Sequence, residues 1–254
     1  FAAGAEGGKL QLWRTGTATL PTALRLAGDT IGDPVSMVQF TGNLYGSADS
    51  VEYIVVSTAA GNLEVWTWEG QEEWWPTQGS LVLSMVVSGG KLYSGQENGE
   101  VRVWEMKVVS ILAVGQTCAD HSQLVGQPYS VRLCLLECRA TTGCSFFTVS
   151  RGTCWIHVTA SCTNLQSLAS AVVYQPTTPS STLLRPAHLG GVYQLALSPS
   201  TGRMVSTSTD GRAFVWSLGQ VVLRQESLTQ PTGTGAPVEN LRSGVFAGEE
   251  VVVT

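Results

Sequence analysis

Residues 91–104, KLYSGQENGEVRVW, recur without a gap as residues 203–216, RMVSTSTDGRAFVW, and this repeat most narrows what the chain can fold into. Each copy is an apolar run, an Asn98-Gly99 or Asp210-Gly211 pair, and an alternating run that closes on Trp five residues after the Gly. Such pairs accept positive φ at both central positions of a two-residue turn, so each copy is predicted to be a β-hairpin. Looser copies at 1–13 and 53–66 keep the offset through Gly8 to Trp13 and Gly61 to Trp66. A strand is predicted ahead of each hairpin, at 34–40, 81–87 and 191–197, and again at 237–246, where no Trp follows. Another β-prone run comes after the Trp, clearest at 107–114 and 220–225. The unit is four antiparallel strands in about 40 residues.

The fold class is therefore mostly β, and 28 Gly and 10 Pro among short Val- and Ser-rich runs agree with it. A net charge of −5 with 14 basic residues and no basic cluster argues against a nucleic-acid partner, since neutralising phosphates takes grouped Lys and Arg. The longest apolar runs, 81–87 and 108–114, are strand-length and fall short of the ~20 residues of a spanning helix, so no membrane span is expected. The chain opens on Phe1 without an initiator Met or signal-like segment, which reads as a mature product, a fragment or an excerpt.

His188, the run GVYQLAL at 191–197, the Asp210-Gly211 turn and Trp216 together resemble the WD-repeat family. The resemblance implies propeller blades, about four here, within a larger or repeating array. It also implies a buried hydrogen-bonded tetrad, which maps onto His188, Ser208, Asp210 and Trp216. The other copies lack the His and carry Asn98, Ala60 or a Gly-rich turn in place of the Asp.

Between Trp104 and Trp216 lies one blade plus about 60 extra residues, counted against the ~40-residue period. The extra stretch, 115–175, holds all six cysteines, Cys118, Cys134, Cys138, Cys144, Cys154 and Cys162. The expected domains are blades at 1–114, an insert at 115–175 that enters after an outer strand, and blades again at 176–254. Within the insert a short helix precedes two strands, and Cys134 and Cys138, four apart, share one helical face toward a sheet carrying Cys144 and Cys154. Six cysteines allow 15 pairings. CxxxC, CSFFT and GTCWIH resemble the PAN/Apple family, whose small α+β modules commonly bind carbohydrate or protein. That resemblance implies Cys134 with Cys154, Cys138 with Cys144, and Cys118 with Cys162. A zinc site is the rival, because His121 and His157 flank the cluster. Structural zinc sites use CxxC-like pairs twice over, which this stretch lacks. Disulfides are the favoured reading, and with them an extracellular or cell-surface location.

No constellation points to catalysis, and no cofactor or metal is expected. Glu72-Glu73 and Glu249-Glu250 are adjacent carboxylates on predicted turns, and Gly89-Gly90 and Gly190-Gly191 lack the Lys-Ser/Thr of a phosphate loop. Trp74 and Trp75, beside Pro76, read either as a ligand-stacking surface or as strand packing. PTTPSST at 176–182 and TQPTGTGAP at 229–237 have the composition of O-glycosylated linkers or of plain loops. The last residues, EVVVT, joined to the first, FAAG, parallel YIVVSTAAG at 53–61, which suggests a strand shared by the ends of repeating units. The leading expectation is a non-enzymatic extracellular structural or adhesive protein, a repeating unit of a longer polypeptide or filament, with copies of itself and protein or glycan ligands as partners. The alternative is an intracellular WD-repeat scaffold for protein–protein interaction.

Overall fold

The computed structural model describes residues 2–4, 9–12, 22–25, 34–41, 53–67, 70–76, 79–106, 109–119, 122–126, 130–177, 180–198, 200–218, 244–247 and 250–253. In chain order the elements are β1 (Ala2–Gly4), β2 (Lys9–Leu12), β3 (Thr22–Arg25), β4 (Val35–Thr41), β5 (Tyr53–Thr58), β6 (Asn62–Thr67), β7 (Gly70–Pro76) and β8 (Val82–Ser88). They continue with β9 (Lys91–Gln96), β10 (Val101–Glu105), β11 (Val109–Cys118), β12 (Ser122–Gly126), α1 (Val131–Ala140), β13 (Phe146–Ser150), β14 (Thr153–His157) and β15 (Leu165–Pro176). The last are β16 (Ser180–Leu184), β17 (Val192–Ser198), β18 (Arg203–Ser208), β19 (Ala213–Ser217), β20 (Gly244–Ala247) and β21 (Glu250–Val253). The chain divides into two compact units. One comprises residues 1–42, 52–105 and 180–254, the other residues 43–51 and 106–179.

The first unit is a series of antiparallel sheets: β1-β2-β3, β4-β5-β6-β7, β8-β9-β10-β16, β17-β18-β19 and β20-β21. The repeated hairpins are β1–β2, β5–β6, β9–β10 and β18–β19, and the strands ahead of them are β4, β8 and β17. Of the run at 237–246, only its end is described, in β20, and the run at 220–225 lies outside the described residues. Consecutive sheets pack first strand to first strand, β4 on β8, β8 on β17 and β17 on β20. Between the β8-β9-β10-β16 and β17-β18-β19 sheets the packing is aromatic and aliphatic: Tyr93 and Val101 share one cluster with Val192, Leu195, Met204, Phe214 and Trp216. β20 and β21 form a hairpin separate from β1-β2-β3, and among the described residues no pairing joins β21 to β1 or β2.

The hairpin turns differ from the expected two-residue form. Gly61, Gly99 and Gly211 have φ of +81°, +85° and +73°, whereas Asn98 and Asp210 are not in the left-handed region. Gln96 N–H donates to Glu100 O (2.9 Å) and Gly99 N–H to Gln96 O (3.1 Å), so the turn spans four residues and only its Gly needs positive φ. Asn98 and Asp210 act through their side chains instead, Oδ1 accepting from Glu100 N–H (3.1 Å) and Arg212 N–H (2.9 Å). The two-residue form does occur, at Gly89-Gly90 between β8 and β9 and at Arg151-Gly152 between β13 and β14.

The glycines at these turns have a second duty. A Cβ on Gly61 would lie 2.7 Å from Ser80 O, and one on Gly99 2.3 Å from His188 O. Each turn thus abuts the backbone leading into the next sheet, and His188 N–H donates to Gly99 O (3.0 Å). The Gly-to-Trp offset records contact between sheets as well as a turn.

The insertion point also departs from expectation. Residues 109–114 are not the outer strand of their sheet. β16 supplies that strand, pairing with β10 from Val101↔Leu184 to Glu105↔Ser180. The segment of the second unit that holds the cysteines therefore begins at Met106, not after residue 114, and interrupts the connection between the third and fourth strands of one sheet. Because Glu105 and Ser180 are direct partners, the chain leaves and returns at one place, and an insertion there keeps every ladder of the host sheet.

The second unit is a five-stranded sheet, β11-β15-β13-β14-β12, with α1 packed on β13 and β14. Ser130 caps the helix, its Oγ accepting from Leu133 N–H (3.2 Å). Val131, Cys134, Leu135 and Cys138 are its buried face. Cys154 lies on β14, but Cys144 precedes β13 in the turn after the helix, where Cys144 N–H donates to Thr141 O (3.1 Å). The short step from Cys138 to Cys144 leaves no room for both a turn and a strand position.

Gly99→Ala should cost about 3 kcal/mol, from left-handed strain plus a backbone clash. Gly89→Ala, at φ +58° with open space, should cost about 1 kcal/mol. Urea unfolding of the two variants measures the difference, and equal losses would contradict the packing role of Gly99.

Candidate functional site

A buried polar cluster sits where β18, β19 and the turn between them meet the segment ahead of β17. The His188 side chain is fully buried and that of Asp210 is 7 % exposed. His188 Nδ1 lies 3.3 Å from both Asp210 carboxylate oxygens, and Nε2 lies 2.8 Å from Ser206 Oγ. Trp216 Nε1–H donates to the same Ser206 Oγ at 2.8 Å. A carboxylate only accepts, so Nδ1 carries the proton and donates to Asp210, which leaves Nε2 as the acceptor for the Ser206 hydroxyl. The chain runs one way, indole to hydroxyl to imidazole to carboxylate.

Electrostatics agree with that order. Burial holds His188 below its usual pKa, partly offset by the attraction of Asp210, which keeps the ring neutral. Burial works against the Asp210 carboxylate, but the N–H groups of Leu189 and Arg212, together with His188, hold it below the usual carboxylate range. Those amides reach Oδ2 at 2.8 Å and Oδ1 at 2.9 Å. The ring of His188 also stacks on Phe214 at 4.1 Å, and Phe214 meets Trp216 edge-on at 5.7 Å.

The serine of this network is Ser206 and not Ser208. Both alternate onto one face of β18, so parity does not separate them, but distance does. Ser206 pairs with Phe214, one same-face step from Trp216, while Ser208 N–H closes on Arg212 O (3.2 Å) at the turn. Four residues of strand separate Arg212 from Trp216, roughly 13 Å. Ser208 instead donates to Gly190 O (2.8 Å) and accepts from Asp210 N–H (3.2 Å), bracing the turn. The missed signal was the alignment itself: Ser stands ten residues before Trp in both strong copies, Ser94 and Ser206, whereas Ser208 matches Gln96.

The same positions in other sheets form a graded series. Trp104 Nε1–H donates to Ser94 Oγ (2.9 Å), with Asn98 where Asp210 stands. In the β5–β6 hairpin, Val56 occupies the serine position and Trp66 Nε1–H turns to Glu64 Oε2 (3.0 Å), both residues buried. β7 places Trp74 and Trp75 opposite Glu64 and Leu63, and their side chains lie outside the described residues.

Ser206, His188 and Asp210 have the spacing of a nucleophilic triad, yet the hydroxyl cannot act as one here. Its proton faces His188 as in such a triad, but Ser206 is fully buried and a lone pair of its oxygen is taken by the Trp216 indole.

In the second unit the structure joins Cys118 to Cys162, Cys134 to Cys154 and Cys138 to Cys144, with Cα separations of 5.4, 5.6 and 5.4 Å. His157, fully buried, has Nε2 2.8 Å from Thr148 Oγ1 and serves the sheet rather than the cysteines. His121 lies outside the described residues. No group of His, Cys, Asp or Glu among the described residues could hold a metal ion. No described helix is long and apolar enough to cross a membrane.

A family model described as WD domain, G-beta repeat, matches residues 178–217, the stretch that carries all four members of the hydrogen-bond chain. No curated protein matches the sequence. Among solved structures, the chain is similar to one in a crystal structure of the mitotic checkpoint complex, with TM-score 0.52 and 10% identity over 99% of this chain and 54% of that one. It is likewise similar to Saccharomyces cerevisiae Sqt1, with TM-score 0.52 and 11% identity over 99% of this chain and 52% of that one. The chain spans about half the length of each. The likeness concerns the fold, which is mostly β with WD-repeat-like sheets.

Ser206→Ala strands two buried polar partners and should cost about 2–4 kcal/mol, whereas Ser94→Ala, which strands only the Trp104 indole, should cost about 1–2 kcal/mol. Thermal or urea unfolding compares them, and equal costs would mean the network is not graded. Because both His188 and Asp210 titrate lower in the fold than in the unfolded chain, the stability they contribute is complete above their unfolded values and lost as pH falls. Tm should decline below about pH 6.5, first through His188, and the decline should be shallower in His188→Asn.

Proposed function

We propose that this chain is a non-enzymatic protein-interaction scaffold, in which WD-repeat sheets hold a rigid recognition surface for protein partners. The observation that carries this reading is Leu189. Its side chain is 81% exposed, while its own N–H is anchored on Asp210 and it directly follows the buried His188. A large exposed apolar side chain whose backbone is already anchored at a turn loses little main-chain freedom on docking, which favours a protein partner. Tyr193, 47% exposed four residues on, adds an aromatic of the type enriched at interfaces. The burial of Ser206 and His188 supports a structural role for this triad-like group.

A second reading concerns the insert. Its three disulfides favour an oxidising compartment, hence a secreted or cell-surface protein, and its helix stapled to a sheet favours a PAN/Apple-like module displayed for protein or glycan binding. The WD-repeat match favours a scaffold over a filament unit as the general role. The location is separable from it.

A photo-crosslinking residue in place of Leu189, in the full chain in its native cells, should yield discrete protein adducts that unlabelled protein competes away. Adducts that are absent or resist competition would contradict the scaffold reading. Native protein treated with iodoacetamide should show no alkylated cysteine before reduction and six after it, whereas six free thiols would contradict the oxidising compartment.

A further inference from the structure

We propose that the outer edge of β11 is a self-association surface, on which a second copy of this chain pairs through its own β11. In the five-stranded sheet β11 is terminal, and β15 is its one strand partner among the described residues. Its other side offers main-chain N–H and C=O groups of the kind that template strand addition. Ile111, Leu112 and Val114 are 59, 46 and 70% exposed, and α1 packs over β13 and β14 rather than over this strand. The register shift between Ile111 and Ala113 leaves Leu112 as an extra residue, and at this bulge both Ile111 and Leu112 face water. Apolar side chains therefore contribute as much to the contact as a main-chain ladder does.

Charge selects the occupant. Exposed edges are ordinarily blunted by Lys, by inward charges or by Pro. Here residues 108–119 carry no charged side chain, and neither do residues 165–176 of the strand behind them. An acidic or basic partner would find no counter-charge on this edge. A second copy brings a net charge of −5, but a two-fold axis through β11 sets one uncharged strand against another. Antiparallel pairing then buries Ile111, Leu112 and Val114 of each copy against the same residues of the other. The contact is a single strand edge, so the dimer should be weak and concentration-dependent. It rests on the second unit alone, and its failure would leave the role of Leu189 untouched.

Analytical ultracentrifugation of the full chain tests it, comparing wild type with Val114→Lys and Ile111→Lys. Both substitutions are at exposed positions, so thermal unfolding should be unchanged and reports that the variants fold. The expected result is a reversible monomer–dimer equilibrium that each Lys weakens at least about a hundredfold, since like charges meet across the axis. A photo-crosslinker in place of Leu112 should join one copy to another. A strictly monomeric protein at its highest soluble concentration, a dimer indifferent to both substitutions, or crosslinks at 112 only to some other protein would each overturn the proposal.

Discussion

One buried chain of hydrogen bonds, from Trp216 through Ser206 and His188 to Asp210, ties two strands, the turn between them and an incoming segment of backbone into a single piece. Its parts depend on one another. The indole and the imidazole are both buried, and loss of a single hydroxyl would leave both the indole N–H and the imidazole Nε2 without a partner. Asp210 in turn serves three donors: His188, Leu189 N–H and Arg212 N–H. The carboxylate therefore shapes its own turn and fixes the residue that leads into the sheet.

Away from this sheet the same device is present in reduced form, and the reduction follows from residue identity. Asn98 can close its turn as Asp210 does, but it bears no charge to hold an imidazole, and the Trp104 indole N–H bonds to Ser94. With Val56 in place of serine, Trp66 bonds to a buried Glu64 on its own strand. What the sheets keep in common is the turn glycine, whose missing Cβ lets the next sheet's backbone come close at Gly61 and Gly99. Contact between neighbours is thus a more uniform feature of the repeat than the polar lock within each sheet.

The hairpins and the strands ahead of them were legible because period-two alternation and a Gly placed five residues before Trp leave little freedom of register. Two features were misread for physical reasons. The Asn98-Gly99 pair reads as a two-residue turn, since sequence alone does not show that the Asn98 side chain closes the turn without positive φ at Asn98. The run at 107–114 has the composition of an outer strand, yet composition does not say which sheet a strand joins, and β16 pairs with β10 from beyond the insert. At the site, the WD-repeat resemblance leads to His188, Asp210 and Trp216, whereas the Ser208 it also implies has the right parity but the wrong distance. Aligning the two strong copies residue by residue singles out Ser206.

The insert shows how such a fold accepts new material. Glu105 and Ser180 are paired, so an entire disulfide-stapled sheet hangs from one inter-strand connection and no host ladder is lost. The claim on which the rest turns is the rigidity of the Trp216 chain, and hydrogen exchange of its indole N–H, followed by NMR, tests it most directly. The account predicts exchange only on unfolding of the sheet, with protection far above that of an exposed indole. Exchange of the Trp216 indole at the rate of a solvent-exposed tryptophan would contradict it.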